Sequence, residues 1–123
     1  MIKLLVVDDS NIIRRKILRC CDRSKYEVVG VATNGLEAIR QFDSLAPKLV
    51  TMDLTMPKMD GIECVSRLAR RDPDIRILVV SALSDVATGI EALEKGARGF
   101  LCKPFTDKQL QDALNELAEG LNV

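Results

Sequence analysis

The sequence predicts an α/β fold: a doubly wound sheet of five parallel strands with helices on both faces. Five short apolar segments alternate along the chain with five segments that have helical periodicity. The connections between them are short, and such strand–helix units form parallel strands joined by right-handed crossovers. A chain of 123 residues is long enough for one such domain and too short for two. We therefore expect one domain over residues 1–123.

The apolar segments and the residues between them define the elements. Strands are expected at residues 2–7, 28–32, 48–52, 75–80 and 99–102. The first is almost continuously apolar and stops at Asp8 and Asp9, as a buried parallel strand does at the rim of a sheet. Four helical segments follow a residue that favours helix N-termini, namely Ser10, Asn34, Asp60 and Thr106. The last three of these have Glu or Gln three residues later, the spacing of a capping box.

Each predicted helix has an apolar stripe at helical spacing. The stripes are Ile13, Ile17, Cys20 and Cys21; Leu36, Ile39 and Phe42; Ile62, Val65, Leu68 and Ala69; Val86, Ile90 and Leu93; and Leu110, Leu114, Leu117 and Leu121. We expect these stripes to face the core and, in the first helix, Arg14, Arg15 and Arg19 to point away from it. The fourth helix, over about residues 84–95, contains four weak helix formers and is expected to be the least stable.

The charge balance and the apolar runs exclude several functions. With 18 basic and 18 acidic side chains, the net charge is zero and does not provide the basic field that nucleic-acid binding needs. No apolar run approaches the roughly 18 residues of a membrane span, and the N-terminus lacks the layout of a signal peptide. We expect a cytoplasmic protein whose four cysteines are reduced. The chain has no histidine, so the usual zinc patterns are absent.

Polar side chains follow the carboxyl ends of four predicted strands. Asp8 and Asp9 follow the first strand, and Asp53 follows the third. Ser81 follows the fourth strand, and Lys103 follows the fifth. In a parallel sheet these ends share one edge, and ligands of open α/β sheets bind in the crevice at that edge. We therefore expect these side chains to form one site.

The residue types in this group indicate phosphoryl transfer with a divalent cation. Converging carboxylates repel one another, and Mg²⁺, which takes oxygen ligands, relieves that repulsion. Lys103 offers a positive charge and Ser81 a hydroxyl donor, and both stabilise the negative charge of a transferred phosphoryl group. A carboxylate can be the nucleophile and form an aspartyl phosphate. Asp53, on the central strand, is the candidate acceptor, with Asp8 and Asp9 as metal holders.

Over essentially the whole chain, the sequence resembles response regulator receiver domains. The matching motifs are Val-Val-Asp-Asp-Ser at 6–10, Met-Asp-Leu-Thr-Met-Pro-Lys-Met-Asp-Gly at 52–61, Ser-Ala at 81–82, Gly-Ala at 96–97 and Gly-Phe-Leu-Cys-Lys-Pro-Phe at 99–105. Within that family, the sequence is most similar to single-domain chemotaxis regulators and secondarily to the receiver half of chemotaxis methylesterases. The resemblance implies a flavodoxin-like fold with strand order 2-1-3-4-5.

The resemblance also implies how the site works. A histidine kinase or phosphotransfer protein would donate a phosphoryl group to Asp53, and the chain would catalyse only its own phosphorylation and dephosphorylation, without being a turnover enzyme. Mg²⁺ would be bound by Asp9, Asp53 and the main-chain carbonyl of Thr55, with Asp8 assisting through water. Lys103 would pair with Asp53 or its phosphoryl group.

Further implied roles concern the surroundings of the site. The Lys103–Pro104 bond would be cis, and Thr55 and Leu83 would tune how quickly water removes the phosphoryl group. Ser81 would move towards the phosphoryl oxygens, and Phe100, at the aromatic switch position of the family, would turn into the vacated space. The fourth helix, the fifth strand and the fifth helix would then contact a downstream protein, with the flagellar motor switch as one candidate.

Other functions stay open on the residues alone. A flavodoxin-like redox carrier shares the topology, although Asp8 and Asp9 would repel the phosphate of a flavin. A phosphatase with an aspartyl intermediate would need a second acid two residues after its nucleophile, where Thr55 stands. A non-phosphorylated adaptor of the same fold would normally have lost an acid or the lysine, and the chain keeps both. A receiver fragment of a larger regulator, such as a chemotaxis methylesterase, is a further alternative.

Overall fold

The computed structural model describes residues 1–56, 59–82 and 86–121. Its strands are β1 (Ile2–Val7), β2 (Tyr26–Ala32), β3 (Leu49–Asp53), β4 (Arg76–Ala82) and β5 (Gly99–Lys103). They form one parallel sheet in the order β2-β1-β3-β4-β5, so the predicted fold and strand order are confirmed. The central strand β3 is buried along its whole length.

Helices alternate with the strands, as predicted. In the described residues they are α1 (Asn11–Cys20), α2 (Gly35–Leu45), α3 (Gly61–Arg71), α4 (Val86–Lys95) and α5 (Asp107–Ala118). The side chains of Ser10, Asn34 and Asp60 accept hydrogen bonds from backbone N–H groups in the first turns of α1, α2 and α3. Thr106 and Gln109 form a capping box at α5. All four predicted N-caps are confirmed, whereas the predicted start of the fourth helix near Ser84 lies outside the described residues.

Strand pairing extends three strands beyond their predicted carboxyl ends. Asp53 pairs with Val80, and Lys103 pairs with Ala82, so β3, β4 and β5 each continue into the polar residues. The consequence is that Asp53, Ser81 and Lys103 belong to the strands themselves. Hydrogen bonding across the sheet therefore fixes the backbone positions of these three residues.

Two apolar cores lie on opposite faces of the sheet. On one face, side chains of α2, α3 and α4 pack against the strands, and on the other face those of α1 and α5 do so. The predicted stripes of α1, α3 and α5 are confirmed, since most of their members are buried and Ile13, Ile62 and Leu121 pack against these cores, while Ala69 is half-buried. All four cysteines are free thiols. In the described part of the chain, no helix is both long and apolar enough to cross a membrane.

The predicted inward stripe of α4 is wrong. Val86, Ile90 and Leu93 are 46%, 54% and 41% exposed, whereas Gly89 and Ala92 are buried. A Cβ atom at Gly89 would lie 2.0 Å from Cε2 of Phe100 on β5. Because the ring of Phe100 occupies this space, α4 can approach the sheet only through its small residues, and its larger apolar side chains face outwards.

Two smaller expectations are also wrong. Leu36, in the first turn of α2, is 47% exposed. The neighbouring Gly35 packs closely on Met59, since a Cβ atom added at position 35 would lie 2.7 Å from the Cβ of Met59. Because Gly35 faces the core in this way, Leu36 faces outwards. Arg14 does not point into solvent: its side chain is half-buried, and its Nη1 donates a hydrogen bond of 2.8 Å to the carbonyl oxygen of Asp8.

Candidate functional site

The carboxyl edge of the sheet brings the predicted polar residues together. Asp53 ends β3, and Asp8 follows β1, whose last residue pairs with the one before Asp53. On the other side, Asp53 pairs with Val80 of β4, and Ser81 is the next residue along that strand. Lys103 ends β5, the next strand. Four neighbouring strands thus direct these residues to one edge, as expected for a parallel sheet.

Three carboxylates converge at this edge. One oxygen from each of Asp8, Asp9 and Asp53 lies within 4.8 Å of the other two. Asp8 and Asp53 are 1% and 4% exposed, while Asp9 is exposed to solvent. The Oδ2 atom of Asp8 is buried and accepts no hydrogen bond from any described residue. A buried carboxylate oxygen without hydrogen bonds is costly, so this cluster fits a cation that takes oxygen ligands.

Lys103 is the positive charge that faces the two buried acids. Its Nζ lies 3.2 Å from Asp8 Oδ2 and 3.5 Å from Asp53 Oδ1. The contact with Asp8 is an ion pair without the angles of a hydrogen bond. The Lys103–Pro104 peptide bond is cis, the isomer that the resemblance implies. The cluster thus places three carboxyl groups against one ammonium group, and a divalent cation would balance this excess of acidic groups.

The electrostatic surroundings of Asp53 keep its carboxylate basic. Burial and, next, the charge of Asp8 raise the pKa of Asp53 to about 6, against the opposing effects of the Lys103 ammonium and of the Thr55 N–H. That N–H donates a hydrogen bond of 3.3 Å to Asp53 Oδ1. At neutral pH the group is therefore ionised, yet it is more basic than an ordinary aspartate. Such a carboxylate is suited to nucleophilic attack.

The start of α3 approaches the backbone of Asp53 and Leu54 closely, and Gly61 allows this because it has no side chain. The Gly61 N–H donates a hydrogen bond of 3.0 Å to the carbonyl oxygen of Leu54. A Cβ atom at position 61 would lie 2.4 Å from the carbonyl oxygen of Asp53. The start of α3 thus packs directly on the backbone that carries the candidate nucleophile, and a larger residue at position 61 would displace it.

The remaining predicted site residues surround this cluster. Ser81 is 1% exposed, and Thr55 is exposed beside Asp53. Phe100 is half-buried on β5, with its ring against Gly89 of α4. Leu83 lies outside the described residues. The proposed roles of these residues in switching and in phosphoryl lifetime stay predictions.

Two basic residues of α1 contact the site loops and were not predicted to do so. Arg14 bonds to the carbonyl oxygen of Asp8 and, through Nη2 at 3.4 Å, to Asn11 Oδ1. Lys16 donates a hydrogen bond from Nζ to the carbonyl oxygen of Phe105, close to Lys103. The only sequence signal was a run of three basic residues at 14–16, and such a run does not indicate which side chain contacts which loop.

Comparisons with known proteins agree with this geometry. The chain matches the response regulator receiver domain family over residues 4–115. It is 39% identical over 119 residues to the chemotaxis protein CheY of Listeria monocytogenes, covering 97% of this chain and 100% of that protein. The response regulator domain of Thermotoga maritima CheB has a similar structure, with a TM-score of 0.84 and 34% identity, covering 100% of this chain and 98% of that chain.

A chain of the CheX–CheY–BeF₃–Mg²⁺ complex from Borrelia burgdorferi is also similar, with a TM-score of 0.87 and 29% identity. The match covers 94% of this chain and 88% of that chain. The strand order and the acidic edge of the sheet are consistent with all of these similarities. The chain therefore belongs to the response regulator receiver domain family of two-component systems and is CheY-like within it.

Proposed function

We propose that Asp53 accepts a phosphoryl group from a histidine kinase or a phosphotransfer protein in a reaction that requires Mg²⁺. The observation that carries the proposal is the cluster of Asp8, Asp9 and Asp53 opposed by Lys103 alone among the described lysines. CheY-like receiver domains are signalling proteins and not turnover enzymes. The chemistry of this chain is accordingly the gain and loss of its own phosphoryl group.

The residues at the carboxyl edge fit the metal that this reaction needs. Asp9, Asp53 and the carbonyl of Thr55 would hold Mg²⁺, and Asp8 would assist through water. The buried Oδ2 of Asp8 and the excess of carboxylate over ammonium charge support this assignment. When bound, Mg²⁺ neutralises charge on the transferred phosphoryl oxygens.

Each side chain of the site has its own role in the transfer step. An oxygen of Asp53 forms a bond to phosphorus as the bond from phosphorus to the donor nitrogen breaks, and the electron pair stays on that nitrogen. The ammonium of Lys103, already beside Asp53 Oδ1, stabilises the negative charge on the phosphoryl oxygens. The hydroxyl of Ser81, on the adjacent strand, donates to one of these oxygens.

The signal would leave through the face formed by α4, β5 and α5. Phosphorylation draws Ser81 towards the phosphoryl group, and Phe100 turns and changes the packing of α4. The three exposed apolar side chains of α4 support this surface as the contact for a downstream protein. The flagellar motor switch and a CheX-like protein are candidate partners in the cytoplasm.

Intact-mass measurement after incubation with acetyl phosphate tests the acceptor. Wild type should gain one phosphoryl group only when Mg²⁺ is present, and Asp53→Asn should gain none. Asp74→Asn, at an exposed aspartate outside the cluster, is the matched control and should behave as wild type. A wild type that binds Mg²⁺ in calorimetry yet stays unmodified would favour the adaptor alternative.

A further inference from the structure

Lys16 links α1 to the segment that directly follows Lys103. Its Nζ donates a hydrogen bond to the carbonyl oxygen of Phe105 and lies 4.4 Å from the centroid of the Phe105 ring. Phe105 as a whole residue is 3% exposed and belongs to the core beneath α1 and α5. A cation over an aromatic face is attracted to it, so the ring and the carbonyl hold the ammonium together.

The segment that Lys16 contacts is short and lies between two regular elements. Upstream, β5 ends at Lys103 and is the edge strand next to β4 in the sheet of the described residues. Downstream, Thr106 begins α5 through the capping box with Gln109, whose two hydrogen bonds measure 2.8 and 3.1 Å. Phe105 lies between these anchors, and Lys16 reaches its carbonyl oxygen from across the α1–α5 interface.

The position of this segment matters because it determines where the Lys103 ammonium stands. Lys103 is the last residue of an edge strand, and its Nζ must reach two acids at 3.2 and 3.5 Å. Displacement of a reacting group by about 1 Å can cost on the order of 100-fold in rate. A contact that fixes the chain two residues beyond Lys103 can therefore affect the position of the Lys103 ammonium and, through it, the rate of phosphoryl transfer.

We propose that Lys16 is a positioning residue that holds the Lys103 ammonium in place for phosphoryl transfer to Asp53. The inference rests on the proposed role of Lys103. Among the described residues, the acids of the cluster pair with Lys103 and not with Lys16, which acts through the Phe105 carbonyl and ring. It gives α1 a part in the reaction in addition to its part in the core.

The test compares four single variants, and the double variant of Lys16→Met with Lys103→Met, with wild type at saturating Mg²⁺. Lys16→Met keeps an apolar stem of similar length but removes the donor and the charge, and Lys16→Arg restores both. Lys108→Met is the matched control, because Lys108 lies on α5 and its side chain is 83% exposed. Lys103→Met removes the residue that Lys16 is proposed to position. The measurements are the phosphorylation rate with acetyl phosphate, the Mg²⁺ affinity by calorimetry, and the free energy of unfolding in urea.

The expected pattern separates positioning from general stability. Lys103→Met should slow phosphorylation by about 100- to 1,000-fold, the size of effect of a lost transition-state donor. Lys16→Met should slow it by roughly 3- to 30-fold, a fraction of what a misplaced group can cost. Lys16→Arg and Lys108→Met should stay near wild type. In the Lys103→Met background, Lys16→Met should cause no further loss, because residues that act as a unit are not additive.

Mg²⁺ affinity gives a second readout that does not depend on phosphorylation. Removing the Lys103 charge should tighten Mg²⁺ binding, because the ammonium repels the cation, and Lys16→Met should shift the affinity in the same direction by less. A merely structural defect would weaken metal binding and phosphorylation together.

Two results would overturn the role of Lys16 while leaving Asp53 as the acceptor. One is a phosphorylation rate of Lys16→Met equal to that of Lys108→Met. The other is that Lys16→Met lowers the rate by the same factor in the wild-type and Lys103→Met backgrounds. A wild type that is not phosphorylated would instead defeat the proposed function. In that case an unchanged Mg²⁺ affinity in Lys16→Met would also reject the positioning role.

Discussion

The helices α4 and α5 have 10 and 12 residues and pack on opposite faces of the sheet, yet they use their apolar residues in opposite ways. α5 begins at a capping box and buries Leu110, Leu114 and Leu117. α4 buries Gly89 and Ala92 and exposes its larger apolar side chains. The helix with the buried stripe contributes to stability, whereas the exposed stripe of α4 is available to a partner.

The difference shows what an apolar stripe can and cannot indicate. An apolar stripe predicts a helix with an apolar face, and this prediction was correct for both α4 and α5. Which face packs on the sheet depends on the space that neighbouring elements leave. At α4 the ring of Phe100 fills the space over Gly89, and a glycine is required for that contact. The predictions below test this contrast.

The largest effect is expected at α5. Leu114 is fully buried, so Leu114→Ala should lower the free energy of unfolding by about 3 kcal/mol through lost burial and a residual cavity. Leu93→Ala on α4, where the side chain is 41% exposed, should cost less than about 1 kcal/mol. Urea unfolding of both variants measures the contrast, and equal losses would contradict it.

A second large effect on stability is expected at Asp53, where burial of a charged group lowers the free energy of unfolding. The pKa of Asp53 is raised to about 6 from an ordinary 3.8 by burial and by Asp8, so the folded state binds the proton more tightly than the unfolded state. Ionised Asp53 therefore destabilises the fold as the pH rises through this range. Without divalent cations at pH 7, Asp53→Asn should raise the free energy of unfolding by about 1 to 3 kcal/mol.

The stability gained in Asp53→Asn should shrink as the pH is lowered towards the ordinary pKa of aspartate. Wild-type Asp53 then becomes protonated and is neutral, like the asparagine of the variant. Urea unfolding with a chelator at two pH values measures it. Asp74→Asn, at an exposed site, is the control and should show no such pH-dependent gain. A loss of stability in Asp53→Asn at pH 7 would reject the electrostatic argument.

An intermediate effect is expected where α4 meets β5. In Gly89→Ala, the new Cβ would lie 2.0 Å from Phe100 Cε2, so the ring must move. In a Phe100→Ala background, the same substitution should stabilise the protein by about 0.5 to 1 kcal/mol, since alanine is the better helix former. A double-mutant cycle in urea should give a coupling of roughly 1 to 2 kcal/mol, and additivity would show that the ring does not select the face of α4.

A smaller effect is expected at the start of α5. Thr106→Ala removes the oxygen that accepts from the Gln109 N–H, and it should cost about 1 kcal/mol. Thr106→Ser keeps that oxygen and should stay close to wild type. If both variants lose the same stability in urea, the capping bond is not the source of the loss.

The smallest effect on stability is expected on the exposed face of α4. Ile90 is 54% exposed, so Ile90→Ser should change the free energy of unfolding by less than about 0.5 kcal/mol. Its rate of phosphorylation by acetyl phosphate should equal that of wild type, because Ile90 lies outside the acidic cluster. A loss above about 2 kcal/mol would mean that this side chain belongs to the core after all.

Much of the fold and the site could be predicted from local signals. The cap residues Asn34, Asp60 and Thr106 marked the starts of three helices because a side-chain oxygen at an N-cap acts over only three residues. Asp8, Asp53 and Lys103 converged because carboxyl ends of parallel strands meet at one edge. Both inferences depend on short-range chemistry or on a general property of the sheet.

The sequence by itself determined the order of elements, the parallel sheet and the identity of the acidic group at its edge, because periodicity, caps and strand ends are local properties. Only the tertiary structure decided which face of α4 is buried, that Arg14 reaches the Asp8 carbonyl and that Lys16 reaches Phe105. These outcomes depend on the space and the polar groups that distant segments offer, and such groups become neighbours only when the whole chain has folded.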